Sequence, residues 1–382
     1  MLLSPSQALH RDPAHVQGGD LSAFLPGQIT LDLSVCSNRM GPPPQAVEAL
    51  RTFLADHPSE LVPPPYRAEE GYLAACADHL GVDRRELLPL RGVTEGIVVL
   101  SRLLQGQSVA LVTPDCNDTM QQFHYATFLR AERGSLDTAE LRLERVRQAM
   151  EHHRHVVISN PNNPYGHFIP GELLLEACRQ NPRCTLIVDM DYVEFQGKGM
   201  SLAGAALDTD NLVVLQSPGK TYGLTAARAG MMWTRNRELR KAVASQLLNW
   251  PLSLLDIVLH TAALRDPAWL DGVRPAIKSD ARALARILTA RFGAAAVAGA
   301  DIHFRFVRLD APHRVHAHLK AHGIAVRMFH GASLGTVSGI RVTAPHGAAE
   351  FAQLGNALST LPREVARVLE RPLHPEGGAA PA

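Results

Sequence analysis

Four short apolar runs, each about as long as one buried strand, constrain the fold of this chain most. They are SVALVT at 108–113, HVVIS at 155–159, TLIVDM at 185–190 and NLVVLQ at 211–216. A loop or a helical segment separates each run from the next, and short buried strands that alternate with helices are typical of a mostly parallel sheet. The sequence therefore predicts an α/β fold whose central sheet is flanked by helices.

The C-terminal part of the chain predicts a second, smaller domain. With 382 residues and 46% hydrophobic content, the chain is long enough for one large core and a further one. The segment 235–293 is helical in character, with a kink expected at the Trp-Pro pair 250–251. Strand-like runs at 300–309, 323–329 and 338–344 then indicate a small α+β domain. The predicted parts are an N-terminal arm with part of the small domain at 1–37, a large domain at 38–255, a small C-terminal domain at 256–370 and a disordered tail at 371–382.

Charge, cysteine content and hydropathy narrow the classes of partner. Lys and Arg total 38 against 37 for Asp and Glu, so the near-neutral chain gives no electrostatic reason to bind nucleic acid or an anionic membrane. The five cysteines are scattered and lack metal-ligand spacing, which predicts reduced thiols in a cytoplasmic protein and no metal site. No apolar stretch approaches the ~18 residues of a membrane span, and the N-terminus lacks a signal-peptide pattern. A small-molecule partner is favoured.

Four loops carry polar residues that fit one chemistry. In parallel α/β sheets, ligands bind beyond the carboxyl ends of the strands, so residues that follow strands are expected to meet. The sequence places 92-GVTEG-96, 160-NPNNPYG-166, 189-DMDYVEF-195 and 217-SPGK-220 at such positions or at a helix start. A glycine-led helix start, an amide, a carboxylate and a lysine are together the groups that a pyridoxal 5′-phosphate site requires.

Each of these groups has a separate expected role. Lys220 would form a Schiff base with the cofactor aldehyde and then act as general base and acid on the substrate. Asp189 would lie against the pyridine nitrogen and keep it protonated. Asn163 and Tyr192 would hydrogen-bond the phenolic oxygen. The phosphate would be bound by backbone groups at a helix start and by a guanidinium group, supplied by Gly92, Val93, Thr94 and Arg228.

The order of these motifs resembles that of the fold-type I, class I and II aminotransferases. Within that family the chain is most similar to the histidinol-phosphate aminotransferases and the related threonine-phosphate decarboxylases, over about residues 30 to 360. The matching positions are 38-NRMGPPP-44, Tyr66, 92–95, 160–166, Asp189 with Tyr192, Ser217 with Lys220 and Arg228, and Arg341. The resemblance implies the fold type I architecture of pyridoxal-phosphate transferases, with a mostly parallel central sheet and a smaller α+β domain.

The resemblance also implies roles for residues outside the four loops. Tyr66 would reach the cofactor phosphate of a neighbouring subunit, which implies a homodimer with shared sites. Arg341 would bind the anionic group of the substrate, an α-carboxylate or a phosphate. Further contacts are expected with the cofactor from Ser217 and with the substrate from Asn38, Asn163 and Tyr165.

Three positions depart from the pattern of the family. Cys116 follows the run at 108–113 where an aromatic side chain usually stacks on the cofactor ring. Gly219 precedes the lysine where serine is common, and Tyr165 stands where threonine is customary. These departures fit a specialised enzyme of secondary metabolism, and they fit neutral drift equally well.

The sequence as a whole predicts a pyridoxal-phosphate-dependent aminotransferase that acts on a small amino acid or a phosphorylated amine. A decarboxylase, a cyclase or lyase, and an oxidase are alternatives on the same fold, and the sequence does not choose among these reactions. A cofactor-binding sensor without turnover is an alternative from another class. The retained Lys220 argues against a sensor, as does the lack of a basic arm or an appended pair of DNA-binding helices.

Overall fold

The computed structural model describes residues 18–131, 137–205, 208–299, 302–330 and 337–366. The predicted tail at 371–382 and the first 17 residues of the predicted arm lie outside these ranges. The strands are β1 (Leu31–Asp32), β2 (Leu87–Leu90), β3 (Val109–Val112), β4 (Thr127–Leu129), β5 (His155–Ser159), β6 (Thr185–Asp189), β7 (Leu212–Gln216), β8 (Gly230–Trp233), β9 (Val297–Ala298), β10 (Phe304–Arg308), β11 (Ile324–Ala325), β12 (Arg327–His330) and β13 (Ser338–Thr343).

The helices alternate with these strands in the first two thirds of the chain. They are α1 (Pro44–Asp56), α2 (Tyr66–Leu80), α3 (Val93–Leu103), α4 (Asn117–Gln122), α5 (Ala139–His152), α6 (Gly171–Gln180), α7 (Leu202–Ala205), α8 (Arg237–Ala244), α9 (Leu254–Leu264), α10 (Pro267–Phe292), α11 (Pro312–Ala321) and α12 (Gly347–Ser359). None of these described helices combines the length and the hydropathy that crossing a bilayer requires.

A seven-stranded sheet in the order β2-β8-β7-β6-β5-β3-β4 organises the larger part of the chain. The four runs predicted to be strands form its centre as β3, β5, β6 and β7, and they pair in parallel. β7 is buried at every position, because helices cover both faces of the sheet. β8 runs antiparallel to both β2 and β7. The prediction of a mostly parallel α/β sheet is confirmed.

Three strands of this sheet were not predicted from the sequence. β2 contains Pro89, which obscures a strand pattern, although the strand lies at the edge of the sheet where a missing N–H is tolerated. β4 at the opposite edge has only three residues and begins with the exposed Thr127. β8 is a run of four buried residues with no polar alternation. Short strands of this kind lack the periodicity that a sequence pattern needs.

The helical segment at 235–293 is interrupted, so the expected kink is wrong. α8 ends at Ala244 and α9 begins only at Leu254, where the Ser253 side chain accepts a hydrogen bond from the Asp256 backbone N–H. Between them, Trp250 adopts a left-handed conformation with φ of 55°. The Trp-Pro pair therefore lies in a non-helical connection, where it bends no continuous helix.

A second sheet, in the order β12-β13-β10-β9, is antiparallel throughout. It packs with α11, α12 and the end of α10 around a separate cluster of buried apolar side chains. β1 pairs in parallel with β11, with Leu31 opposite Ile324, so the start of the described chain joins this smaller part. The smaller α+β unit is therefore present, and the exact boundaries at 37/38 and 255/256 stay predictions.

Candidate active site

A cavity of about 290 Å³ lies beyond the carboxyl ends of β6 and β7 and is closed on its other side by β12 and β13. It brings together residues from distant parts of the chain, as the carboxyl-end rule for parallel sheets predicts. The predicted site residues that line the cavity are Gly92, Val93, Thr94, Asn163, Tyr192, Ser217, Lys220, Arg228 and Arg341.

Lys220 projects into this cavity from the loop after β7. Its Nζ lies 2.6 Å from Oδ2 of Asp191 and 3.0 Å from the hydroxyl of Tyr192. Burial lowers the pKa of Lys220, but Asp191, Tyr192 and Asp189 together outweigh burial, so the pKa lies well above its usual value. The loop is held in place by Ser217, whose hydroxyl donates to the Ala229 carbonyl at 2.7 Å and accepts from the backbone N–H of Gly219 at 3.1 Å.

Asp189 is the last residue of β6, two positions before the cavity-lining Asp191. Its Oδ1 accepts a hydrogen bond of 3.0 Å from the backbone N–H of Asp191. Burial, and then the charge of Asp191, raise the pKa of the Asp189 carboxyl from 3.8 to about 7, while Lys220 opposes that shift. The two predicted residues therefore lie close enough to interact, and a cationic ring nitrogen beside Asp189 would relieve the cost of its charge.

The start of α3 forms an anion-binding corner of the cavity. Gly92 precedes the helix with φ of 77°, and no side chain caps the first turn. A Cβ added to Gly92 would stand 2.5 Å from Nη2 of Arg228, so the guanidinium lies directly against the glycine backbone. Uncapped N–H groups, the helix dipole and a guanidinium together favour a phosphate.

Two arginines lie side by side at the small-sheet wall of the cavity. Arg341 on β13 is the cross-strand partner of Arg327 on β12, and both are buried. Arg341 donates to Oδ1 of Asn163 at 2.6 Å and to the Ser34 carbonyl at 3.1 Å. Burial, and then the charge of Arg341, lower the pKa of Arg327 to about 10. In the described ranges no carboxylate forms an ion pair with either guanidinium, so both are available to an anion.

Besides Asp189, which lies next to the cavity-lining Asp191, three predicted contact residues do not line this cavity in the single chain. The Asn38 side chain donates to the Thr221 carbonyl at 2.9 Å and accepts from the Met40 N–H at 2.9 Å. Tyr165 is buried and packs edge-on against Phe306, with ring centroids 5.1 Å apart. Tyr66 is 62% exposed at the start of α2. Their expected contacts with cofactor or substrate stay predictions.

Asp191 and Arg327 are among the cavity-lining residues that sequence reasoning missed. Asp191 lies between Asp189 and Tyr192 in the sequence, but nothing in the motif indicated that its side chain would contact Lys220. Arg327 lay in the strand-like run at 323–329, and only the pairing register of β12 with β13 brings it beside Arg341. Cys116 also lines the cavity, and burial raises the pKa of its thiol to about 12, so it is a neutral group.

The residues of the cavity fit pyridoxal phosphate. The α3 start with Arg228 suits the phosphate, Asp189 suits the ring nitrogen, and Lys220 with Tyr192 suits the aldehyde and phenolic side of the ring. Buried polar atoms that have no hydrogen-bond partner among the described residues, Oδ1 of Asp191 and Nε of Arg341, indicate that the cavity is built to hold a polar ligand.

The chain is similar to known proteins over most of its length. A histidinol-phosphate aminotransferase of Pseudomonas putida (strain W619) is 26% identical, over 81% of this chain and 89% of its own length. The crystal structure of histidinol-phosphate aminotransferase from Sinorhizobium meliloti in complex with pyridoxal-5′-phosphate matches with a TM-score of 0.75 at 21% identity, covering 96% of this chain and 97% of that one. L-threonine-O-3-phosphate decarboxylase from Porphyromonas gingivalis matches with a TM-score of 0.71 at 18% identity, over 86% of this chain and 98% of that one.

The family model for aminotransferase class I and II matches residues 28–358. That range runs from just before β1 into α12, so it includes both sheets and every element that contributes to the cavity. Because the match spans the whole fold and the site, the chain belongs to the class I and II aminotransferase family and is a pyridoxal-phosphate-dependent transferase.

Proposed function

We propose that this aminotransferase takes the amino group from a donor that carries an anionic group, either a small amino acid or a phosphorylated amine. The observation that carries the proposal is the pair of buried guanidinium groups, Arg327 and Arg341, which face the cavity without carboxylate partners among the described residues. A guanidinium binds a carboxylate or a phosphate through two parallel hydrogen bonds. Two of them side by side favour a doubly charged phosphate.

The other side chains have roles that follow from their positions. When bound, the cofactor supplies an electron-withdrawing ring that stabilises negative charge on the donor Cα. Lys220 would hold the cofactor covalently, and its Nζ, once released as a neutral amine, would take the Cα proton and return it. The hydroxyl of Tyr192, 3.0 Å away, would orient that nitrogen. Asp189 would keep a proton on the ring nitrogen, while Arg228 and the start of α3 would bind the phosphate.

The proposal includes a homodimer. Apolar side chains are exposed on two neighbouring segments, at Val62 (86%) and Tyr66 (62%) before and in α2, and at Leu248 (71%) and Trp250 (51%) before α9. Tyr66 and Trp250 contact edge to face, with centroids 6.3 Å apart, so the segments form one surface. Contiguous exposed apolar surface supports a subunit interface. A second copy on this surface would bring Tyr66 towards the neighbouring cofactor phosphate.

We also propose a cytoplasmic location. The five cysteines, Cys36, Cys76, Cys116, Cys178 and Cys184, are all free thiols. Unpaired thiols support a reducing compartment.

The test is amino-group transfer with purified enzyme, pyridoxal phosphate and 2-oxoglutarate. Histidinol phosphate is the first donor to try, because relatives at 26% identity carry that name. We expect one glutamate for each donor consumed, and Arg341→Ala should lower kcat/KM by on the order of 100-fold. A donor analogue without the anionic group is the control, since it should be affected far less by that substitution. Donor consumption with release of carbon dioxide or ammonia and no glutamate would contradict transamination.

A further inference from the structure

A second carboxylate, Asp191, stands closer to the lysine nitrogen than any other described side chain. Its Oδ2 is 2.6 Å from Nζ of Lys220, against 3.0 Å for the Tyr192 hydroxyl. Asp191 lies just beyond β6 and lines the cavity, and the residue is only 8% exposed. The electrostatic attraction between two charges that are this close and this buried is stronger than in an exposed ion pair, because solvent screens it less.

The Asp191 side chain does not brace the fold. Its backbone N–H bonds to Asp189, but its Oδ1 is buried and has no hydrogen-bond partner in the described part of the chain. A carboxylate that fixes a loop normally uses both oxygens on backbone or side-chain donors, because an unpaired buried oxygen is costly. The side-chain contact that the structure gives Asp191 is the one with Lys220.

We propose that Asp191 is a catalytic residue, the counter-ion that keeps the Lys220 nitrogen protonated in the cofactor-free protein and again once that nitrogen is joined to the cofactor aldehyde. The role rests on the proposed function, because it requires pyridoxal phosphate on Lys220. A carbon doubly bonded to nitrogen is attacked readily by an amine only when the nitrogen carries a proton. Asp191 would therefore keep the enzyme ready for its donor at a higher pH than lysine and cofactor alone allow.

Of the other titratable groups around Nζ, three are neutral near neutral pH, and the fourth, Asp189, contributes to the raised pKa of Lys220 but has a partner of its own under the proposed function. Burial raises the pKa of the Cys116 thiol to about 12 and lowers the pKa of His303 to about 3, so both are neutral. Burial also raises the pKa of Tyr192 well above its usual value. Asp189 has its pKa raised to about 7, and the ring nitrogen is its partner under the proposed function. Asp191 is therefore the carboxylate that we assign as the counter-ion of the Lys220 Nζ.

The test is a pH titration of the visible absorption of the cofactor bound to Lys220 in the holoenzyme. The midpoint for loss of the proton on the linking nitrogen should fall by about 1–3 pH units in Asp191→Asn, the range that an opposite charge in contact produces. Asp191→Glu, which keeps the charge, should restore most of the wild-type midpoint. Asp118→Asn is the matched control, because Asp118 lines the same cavity without forming an ion pair with Lys220, and its midpoint should move far less.

Two results would overturn the role of Asp191 while the proposed function stands: an unchanged midpoint in Asp191→Asn, or equal shifts in Asp191→Asn and Asp118→Asn. Failure of wild-type protein to attach pyridoxal phosphate to Lys220 would overturn both. If the variants do not fold, the test uses the cofactor-free wild-type protein. The extent of acylation of each lysine is then measured as a function of pH by peptide mass spectrometry. Lys220 should become reactive at higher pH than the exposed Lys241, and equal pH midpoints would overturn the role.

Discussion

Some residues at the site lower the stability of the cofactor-free protein, and Asp189 is the clearest case. Its carboxyl has a pKa of about 7 in the folded chain, mainly because of burial, against 3.8 when unperturbed. The folded state thus binds this proton more tightly than the unfolded state does. The contribution of Asp189 makes the protein less stable as pH rises from about 4 to about 7. Function retains a carboxylate where stability would favour a neutral group.

Replacement of that carboxylate should therefore stabilise the cofactor-free protein at alkaline pH. We expect Asp189→Asn to raise the free energy of unfolding at pH 8 by on the order of 2 kcal/mol, and by less than half as much at pH 5, where the folded wild-type group is still protonated. Urea denaturation at the two pH values measures this. Asp210→Asn, at an exposed carboxylate, should show no such difference. A variant less stable than wild type at pH 8 would refute this account of Asp189.

Individual residues also mark the limit of sequence reasoning at the site. Lys220, Tyr192, Asn163 and Arg228 were predicted to come together, because each follows a strand or belongs to a loop at the same sheet edge, and the cavity brings them together. Arg327 was missed because its neighbour is set by strand register, which depends on pairing across the small sheet and leaves no mark in a short motif.

At the level of elements, the start of α3 shows how one backbone position serves the ligand. Gly92 has φ of 77° and lies against the Arg228 guanidinium, so it combines a left-handed conformation with a close approach. Gly106, just after the same helix, has a similar φ of 84° but open space where its side chain would be. A comparison of substitutions at these two glycines therefore distinguishes the effect of backbone strain from the effect of contact with the anion site.

Alanine at these two glycines should have different effects on cofactor binding. Both variants lose about 1–3 kcal/mol of stability, because a side chain is strained at a positive φ. Only Gly92→Ala pushes Arg228 aside, and we expect it to weaken pyridoxal-phosphate affinity by about tenfold or more, as measured by spectroscopic titration. Gly106→Ala should bind the cofactor as wild type does. Equal affinities in all three proteins would rule out a phosphate corner at α3.

The strands that the sequence predicted are those with a clear apolar pattern. The central strands β3, β5, β6 and β7 were predicted because buried parallel strands read as continuous apolar runs. The edge strands β2 and β4 were not, since each is short and one contains a proline. The interruption before α9 was underestimated because the segment 245–253 keeps a helical composition around its single Trp-Pro pair, and only the structure shows the positive φ of Trp250.

At the scale of the whole molecule, the proposed dimer follows from apolar side chains that the single chain leaves in water. Trp250 and Tyr66 contact each other at the surface, where two large aromatic groups gain little from folding alone. Burial of this surface against a second copy would remove that exposed area from water. The sequence suggested the dimer through the family resemblance, and the exposed surface adds a physical reason.

A charge placed in that surface should dissociate the dimer. We expect Trp250→Glu to weaken self-association by at least about 100-fold, because a carboxylate would be buried without a partner at the interface. Sedimentation velocity across a concentration series measures this. Leu141→Glu on α5, an exposed apolar position elsewhere, is the matched control and should associate normally. A Trp250→Glu protein that associates as tightly as wild type would place the interface on another surface.

The covalent attachment of pyridoxal phosphate to one lysine tests the central claim most directly. Borohydride reduction of the holoenzyme, followed by peptide mass spectrometry, should find the cofactor on Lys220 at one equivalent per chain, and Lys220→Ala should carry none. Absence of the adduct, or its presence on another lysine at the same yield, would contradict the account.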